Sequence, residues 1–171
     1  MQTYTGVAFY PFKPRAEDIR IEDIAHSLSL QCRFGGHCQH FYSVAQHSVL
    51  VANLLPNHLA LTGLLHDATE AYLVDLPRPV KQGIPQYREV EERLASVIAA
   101  RFYRFGRSIM FDHPAIKEAD NRVLMTEARD LMGMPPKPWT EKGVPLDHRI
   151  HPLSPDNAKS AFLAKFLAIT Q

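Results

Sequence analysis

Five side chains have the types and the setting to do chemistry together: His47, the adjacent pair His66-Asp67, Glu70 and Asp120. The pair lies inside Leu64-Leu65-His66-Asp67-Ala68-Thr69-Glu70-Ala71-Tyr72, which otherwise reads as a buried helix. Burying an unpartnered polar group costs about 2–7 kcal/mol, and a charged one more. A metal ion satisfies several such groups at once. Two imidazoles and two carboxylates, from His47, His66, Asp67 and Asp120, make a mixed nitrogen and oxygen set. It suits one divalent transition metal ion (Mn²⁺, Co²⁺, Fe²⁺, Ni²⁺ or Zn²⁺) better than Ca²⁺. Such an ion polarises a phosphoryl oxygen and lowers the pKa of a bound water toward about 7. Glu70 is then a carboxylate to spare, able to orient water or pass a proton to a leaving oxygen.

Helices must bring these groups together. Residues 3–11 read as a short hairpin or extended arm, and Arg15 to Leu30 as a helix or two short helical turns. Gly35-Gly36 breaks the pattern. Ser43 is placed to cap a second helix in which Val44, His47, Leu50, Val51 and Leu54 recur at three- and four-residue steps, with Pro56 closing it. His47 thus faces the core. A third helix is predicted from Asn57 to Leu73, with His66 and Glu70 one turn apart on one face. In Val74-Asp75-Leu76-Pro77-Arg78-Pro79-Val80-Lys81 two prolines predict a rigid loop without regular helix. Further helices are predicted over Gln86 to Phe105, Pro114 to Met132 and Pro155 to Ile169, the second carrying Asp120 beside Ile116, Val123 and Leu124. Strand signals are weak, so the fold class is all-α, with about six helices. Segment 133–153, rich in proline and glycine, has no assigned role.

Bulk properties narrow the partners. The 171 residues fit one domain, and 19 Lys and Arg against 18 Asp and Glu give a net charge of +1. That balance argues against a surface for coating a nucleic-acid polymer. No leader pattern and no run long enough for a membrane span is visible, which reads as cytoplasmic with no membrane partner. Cys32, His37, Cys38 and His40 offer zinc-ligand types, but they crowd around Gly35-Gly36 instead of forming two separated pairs, so the cysteines read as reduced loop thiols. His26, His40, His58, His148 and His151 read as surface or turn residues. Arg101, Arg104 and Arg107 read as a solvated basic face, and Trp139 as a seal on the core, with a lid or base-stacking role as its alternative.

The order His47, His66-Asp67, Glu70, Asp120 resembles the HD-domain metal-dependent phosphohydrolases. It is most similar to the bacterial and prophage 5′-deoxynucleotidases and the phage dATP triphosphohydrolases related to them. The matching text comprises Cys32 to His37, Phe41 to Ser48, His66 to Tyr72, Asp75 to Lys81 and Ala119-Asp120, within roughly residues 3–130. The resemblance implies a single HD domain over residues 1–171. It implies that His47, His66, Asp67 and Asp120 are the metal ligands and Glu70 the catalytic carboxylate. Asp75 matches a second acidic residue near the attacking water, Arg33 an arginine that contacts substrate phosphate and sugar, and Lys81 a phosphate ligand. Phe34 stands where related nucleotidases commonly have tryptophan, so base and sugar selectivity are not carried over. His113 is the only histidine between Asp67 and Asp120, which favours one metal over the two- and three-metal branches.

The implied activity is hydrolysis of a deoxynucleoside monophosphate to deoxynucleoside and phosphate. A dNTP triphosphohydrolase releasing triphosphate is the alternative, for which Arg78, Arg122 or a neighbouring subunit of a homo-oligomer would add positive charge. A non-catalytic nucleotide-binding sensor and a purely structural helical adaptor are rivals of a different class. The adaptor does not require the ligand set, and the sensor does not require Glu70.

Overall fold

The computed structural model describes residues 1–103, 113–139 and 143–171, and of Arg78 and Pro79 the backbone alone. After a 3₁₀ turn at Ala16–Asp18 come helices α1 (Ile21–Leu30), α2 (Val44–Asn53), α3 (Asn57–Leu65), α4 (Glu70–Leu73), α5 (Arg78–Gln82), α6 (Pro85–Phe102), α7 (Pro114–Leu131) and α8 (Pro155–Thr170). A second 3₁₀ turn, Arg33–Gly36, lies between α1 and α2. The described residues form no extended strand. Isolated antiparallel bridges join Gln2 to Ala8 and Cys32 to Ser43, the first making the N-terminal arm a small hairpin. The all-α expectation holds.

The long helices begin where local chemistry favours it. Proline opens α6, α7 and α8, where its fixed φ suits the first turn and its missing N–H is not needed. The buried Ser43 caps α2, its hydroxyl accepting from the Gln46 N–H at 3.2 Å. Helix α1 packs on α8 and α4, and α2 on α3, α7 and α8. The largest core cluster joins Phe9, Ile24, Leu28, Val44, Leu64, Leu65, Tyr72, Leu94, Ile98 and Phe162. A second cluster, with Val51, Leu55, Ile116, Val123 and Leu146, fixes α7 against α2.

The structure corrects two expectations. The helix predicted over 57–73 breaks at His66: α3 ends at Leu65 and α4 starts at Glu70. The N–H groups of Ala68, Glu70, Ala71 and Tyr72 each reach the carbonyl three residues back, so the chain winds tighter than an α-helix. The His66 ring also takes the Gly63 carbonyl, at 2.7 Å. Secondly, the 74–81 stretch is not all loop, because α5 starts at Arg78. Pro77 is its cap residue and Pro79 lies in its first turn, positions that tolerate a missing N–H. The count of about six helices omitted these short elements.

Segment 143–153 has a structural role. Leu146 and Ile150 are buried, and polar side chains pin its backbone. Thr126 Oγ1 accepts from the Leu146 N–H at 2.8 Å, and Asp130 Oδ2 from the Ile150 N–H at 2.8 Å. Gln46 accepts from the Leu153 N–H and donates to the His151 carbonyl, both at 2.8 Å. The segment is a strap across α7 and α2. No helix among the described residues is long and apolar enough to cross a membrane.

Ser43→Ala removes the α2 cap and is expected to cost about 1 kcal/mol. In urea unfolding the midpoint should fall while the slope stays unchanged.

Candidate metal centre

Helix α2 and the tight turn after α3 bring His47, His66 and Asp67 together, while helix α7 sets Asp120 beside His47 and outside that three-residue group. His47 Nε2 lies 3.3 Å from His66 Nε2, 3.7 Å from Asp67 Oδ2 and 3.1 Å from Asp120 Oδ1. His66 Nε2 lies 3.2 Å from Asp67 Oδ2. His47 is fully buried, and His66 and Asp67 are half-buried. The tight turn lets His66 and Asp67, side by side in sequence, aim at the same place. His47, His66 and Asp67 form a group that could hold a metal ion.

The other edges of the two rings decide what fits between them. His47 Nδ1 is 2.6 Å from Glu127 Oε1, and His66 Nδ1 is 2.7 Å from the Gly63 carbonyl oxygen. Both neighbours accept hydrogen bonds, so both Nδ1 atoms carry the proton. In the neutral rings both Nε2 lone pairs then face one another and two carboxylates. That arrangement favours positive charge at its centre, and His47, His66 and Asp67 together could hold a metal ion there.

The electrostatics agree. Burial disfavours the His66 imidazolium, yet Asp67, its hydrogen bond and Asp120 outweigh that and raise the pKa to about 9. Burial also opposes ionisation of Asp67, but His66, His47 and Arg33 hold it well below the usual carboxylate range. Glu70, on the first turn of α4, is buried. Burial first, and then the Asp67 and Asp75 carboxylates, push its carboxyl well above the ordinary range, so it tends to keep a proton. A cation on Asp67 removes part of that push.

Arg33, Phe34, Glu70 and Asp75 line one cavity of about 280 Å³, with Gln31, Val74 and Pro77 among its other walls. Arg33 leans on Asp67, 3.7 Å from Nη1, and on Glu127, 3.0 Å from Nη2. Phe34 and Val74, both in the lining, have φ of 56° and 61°, a backbone region that side chains other than glycine rarely occupy. Trp139 meets Phe34 edge-on, with ring centroids 6.0 Å apart, which sets it against the cavity wall. Lys81 does not line this cavity: its Nζ is 2.9 Å from Glu91 and 3.4 Å from Asp75. Cys32 and Cys38 are free thiols. Arg101 reaches the Ile19 carbonyl at 3.1 Å, and Arg122 the Val144 carbonyl at 3.4 Å. Arg104, Arg107 and the Arg78 side chain lie outside the described residues.

No protein-family profile matches the chain. It is 41% identical over 169 residues to the uncharacterized protein YfdR of Escherichia coli (strain K12), an alignment spanning 97% of this chain and 93% of that one. The chain belongs to the YfdR family. An uncharacterized protein of Rhodobacter capsulatus is 35% identical, over 89% of this chain and 86% of its own. A 5′-deoxynucleotidase of Vibrio atlanticus is 31% identical over 118 residues, 64% of this chain and 59% of that protein. In this member of the YfdR family the His47, His66 and Asp67 cluster is consistent with an HD domain. Sequence reasoning missed Glu127. The available signal was its position seven residues, or two helical turns, after Asp120, on the stripe that holds Val123.

Below pH 9 the metal-free site holds a proton on His66 that a cation must displace. Mn²⁺ affinity is therefore expected to rise with pH, by about tenfold per unit for each displaced proton, and to level off near the His66 pKa. Calorimetric titrations across pH 6 to 9, in buffers of different ionisation enthalpy, measure both the affinity and the protons released.

Proposed function

We propose that this YfdR-family protein is a metal-dependent phosphohydrolase that cleaves deoxynucleoside 5′-monophosphates to deoxynucleoside and phosphate. The observation that carries the reading is a cavity lined by Arg33, Phe34, Glu70 and Asp75 next to a His47, His66 and Asp67 group that could hold a cation. The partial similarity to a 5′-deoxynucleotidase supports the substrate class.

In this proposal His47, His66, Asp67 and Asp120 hold the ion. When bound, the ion polarises the phosphoryl group and makes water a better nucleophile at neutral pH. Arg33 donates to phosphoryl oxygens, which hold the phosphorus in line for attack by water. The bond from phosphorus to the 5′ oxygen breaks, and the leaving oxygen takes a proton from Glu70, whose raised pKa suits it to that donation. Asp75 accepts the proton that the attacking water sheds. Phe34 presents an apolar face to sugar or base. Lys81 contacts phosphate only by giving up Glu91 or Asp75.

Two features favour monophosphate over triphosphate. The volume of about 280 Å³ lies at the lower end of small-molecule sites. Among the described side chains lining it, Arg33 is the one strong cation, whereas a triphosphate needs several.

Metal-loaded protein incubated with ribo- and deoxynucleoside mono-, di- and triphosphates should release orthophosphate from deoxynucleoside monophosphates alone, as resolved by chromatography. Inorganic triphosphate from dNTPs supports the triphosphohydrolase instead, and no turnover with any metal supports the sensor. Glu70→Ala should retain the metal and lose about 10²–10⁴ of the turnover. Asp67→Ala should fail to hold metal. Full activity in either variant sinks the assignment.

A further inference from the structure

We propose that Glu127 is a positioning residue that locks the metal ligand His47 and the phosphate-facing Arg33 into one unit. This rests on the reading of Arg33 as a phosphate contact given above. Glu127 lies on α7 with its side chain fully buried. One carboxylate oxygen, Oε1, takes His47 Nδ1 at 2.6 Å, and the other, Oε2, takes Arg33 Nη2 at 3.0 Å. The three groups come from the 3₁₀ turn at Arg33–Gly36, from α2 and from α7. One side chain thus sets both the ring that aims at the ion and the guanidinium beside the cavity.

The chemistry requires a carboxylate at this position. Arginine only donates, and His47 must donate from Nδ1 if Nε2 is to face a cation. The two donors meet separate oxygens of one buried side chain, and in glutamine one of those positions becomes an NH₂ that turns a donor toward one of the partners. A buried charged network adds little to stability compared with apolar packing of the same volume, so fold stability alone does not account for it. Arg33 Nε is buried and has no hydrogen-bond partner among the described residues, so the Glu127 bond at Nη2 is one that fixes the guanidinium. Outer-sphere carboxylates on ligand imidazoles fix the tautomer and raise ligand basicity.

The test uses the full chain, with calorimetric titration of Mn²⁺ and then of orthophosphate into the Mn²⁺-loaded protein, for wild type, Glu127→Gln and Glu127→Asp. Glu127→Gln is expected to lose about 10–100-fold in Mn²⁺ affinity, orthophosphate affinity or both. Glu127→Asp keeps both acceptors and should recover part of that loss. Wild-type affinities for both ligands in Glu127→Gln, whatever its thermal stability, overturn the proposal and leave Glu127 a structural ion pair. Should Glu127→Gln fail to fold, ¹⁵N NMR of wild-type protein loaded with Zn²⁺ decides. A His47 ring protonated at Nδ1 supports the proposal, and an unprotonated Nδ1 overturns it. Neither measurement needs turnover, so failure of the hydrolase reading would show in the nucleotide panel and not here.

Discussion

Two imidazole nitrogens facing each other across 3.3 Å, each with its other nitrogen committed to an acceptor, are the constraint on which the site depends. Without positive charge between them the lone pairs repel, and Asp67 and Asp120 add to the repulsion. In the metal-free protein the Asp67 and Asp120 carboxylates favour a proton on His66, which raises its pKa despite burial. A divalent cation held by His47, His66 and Asp67 would relieve the repulsion more completely. The helices around the site hold this tension in place. Val123 and Ile116 seat α7 against Val51 and Leu55, which keeps Asp120 opposite His47. Leu64 and Leu65 anchor the end of α3 in the main core just before the chain tightens.

The cavity follows from the same architecture. Its lining contains two non-glycine residues at positive φ, Phe34 and Val74, each at a cost of about 1–3 kcal/mol. Phe34 follows Arg33, which is braced by Glu127 and Asp67. Val74 ends α4, its N–H bonded to the Glu70 carbonyl at 3.0 Å. Gln31, also in the lining, donates to that same carbonyl at 3.0 Å and to Ser27. The lining around Glu70, Val74 and Gln31 is therefore held through shared backbone.

Much of this was legible in the sequence. The stripe of Val44, His47 and Val51 after Ser43 placed His47 inward on α2, because cap and periodicity agree there. Asp120 was legible beside Ile116 and Val123 for the same reason. The break at His66 was not, since the apolar pattern from Leu61 to Tyr72 continues through it. What ends α3 is a side-chain bond to the Gly63 carbonyl and a run of tighter hydrogen bonds, neither of which leaves a trace in periodicity. Helix α5 was hidden because two prolines argue against helix unless both fall in the cap and first turn. Glu127 and the strap over 143–153 share a different obscurity. Each depends on partners 80 or more positions away, such as His47 for Glu127 and Gln46 for Leu153, besides the strap's nearer bonds to Thr126 and Asp130, and local patterns do not pair residues over such distances.

One cation is expected where α2, the turn after α3 and α7 meet, and anomalous diffraction from crystals soaked in Mn²⁺ would show it. A single strong peak is expected within bonding distance of His47 Nε2, His66 Nε2, Asp67 and Asp120. A peak elsewhere in the molecule, or none at this cluster under saturating Mn²⁺, would contradict this placement.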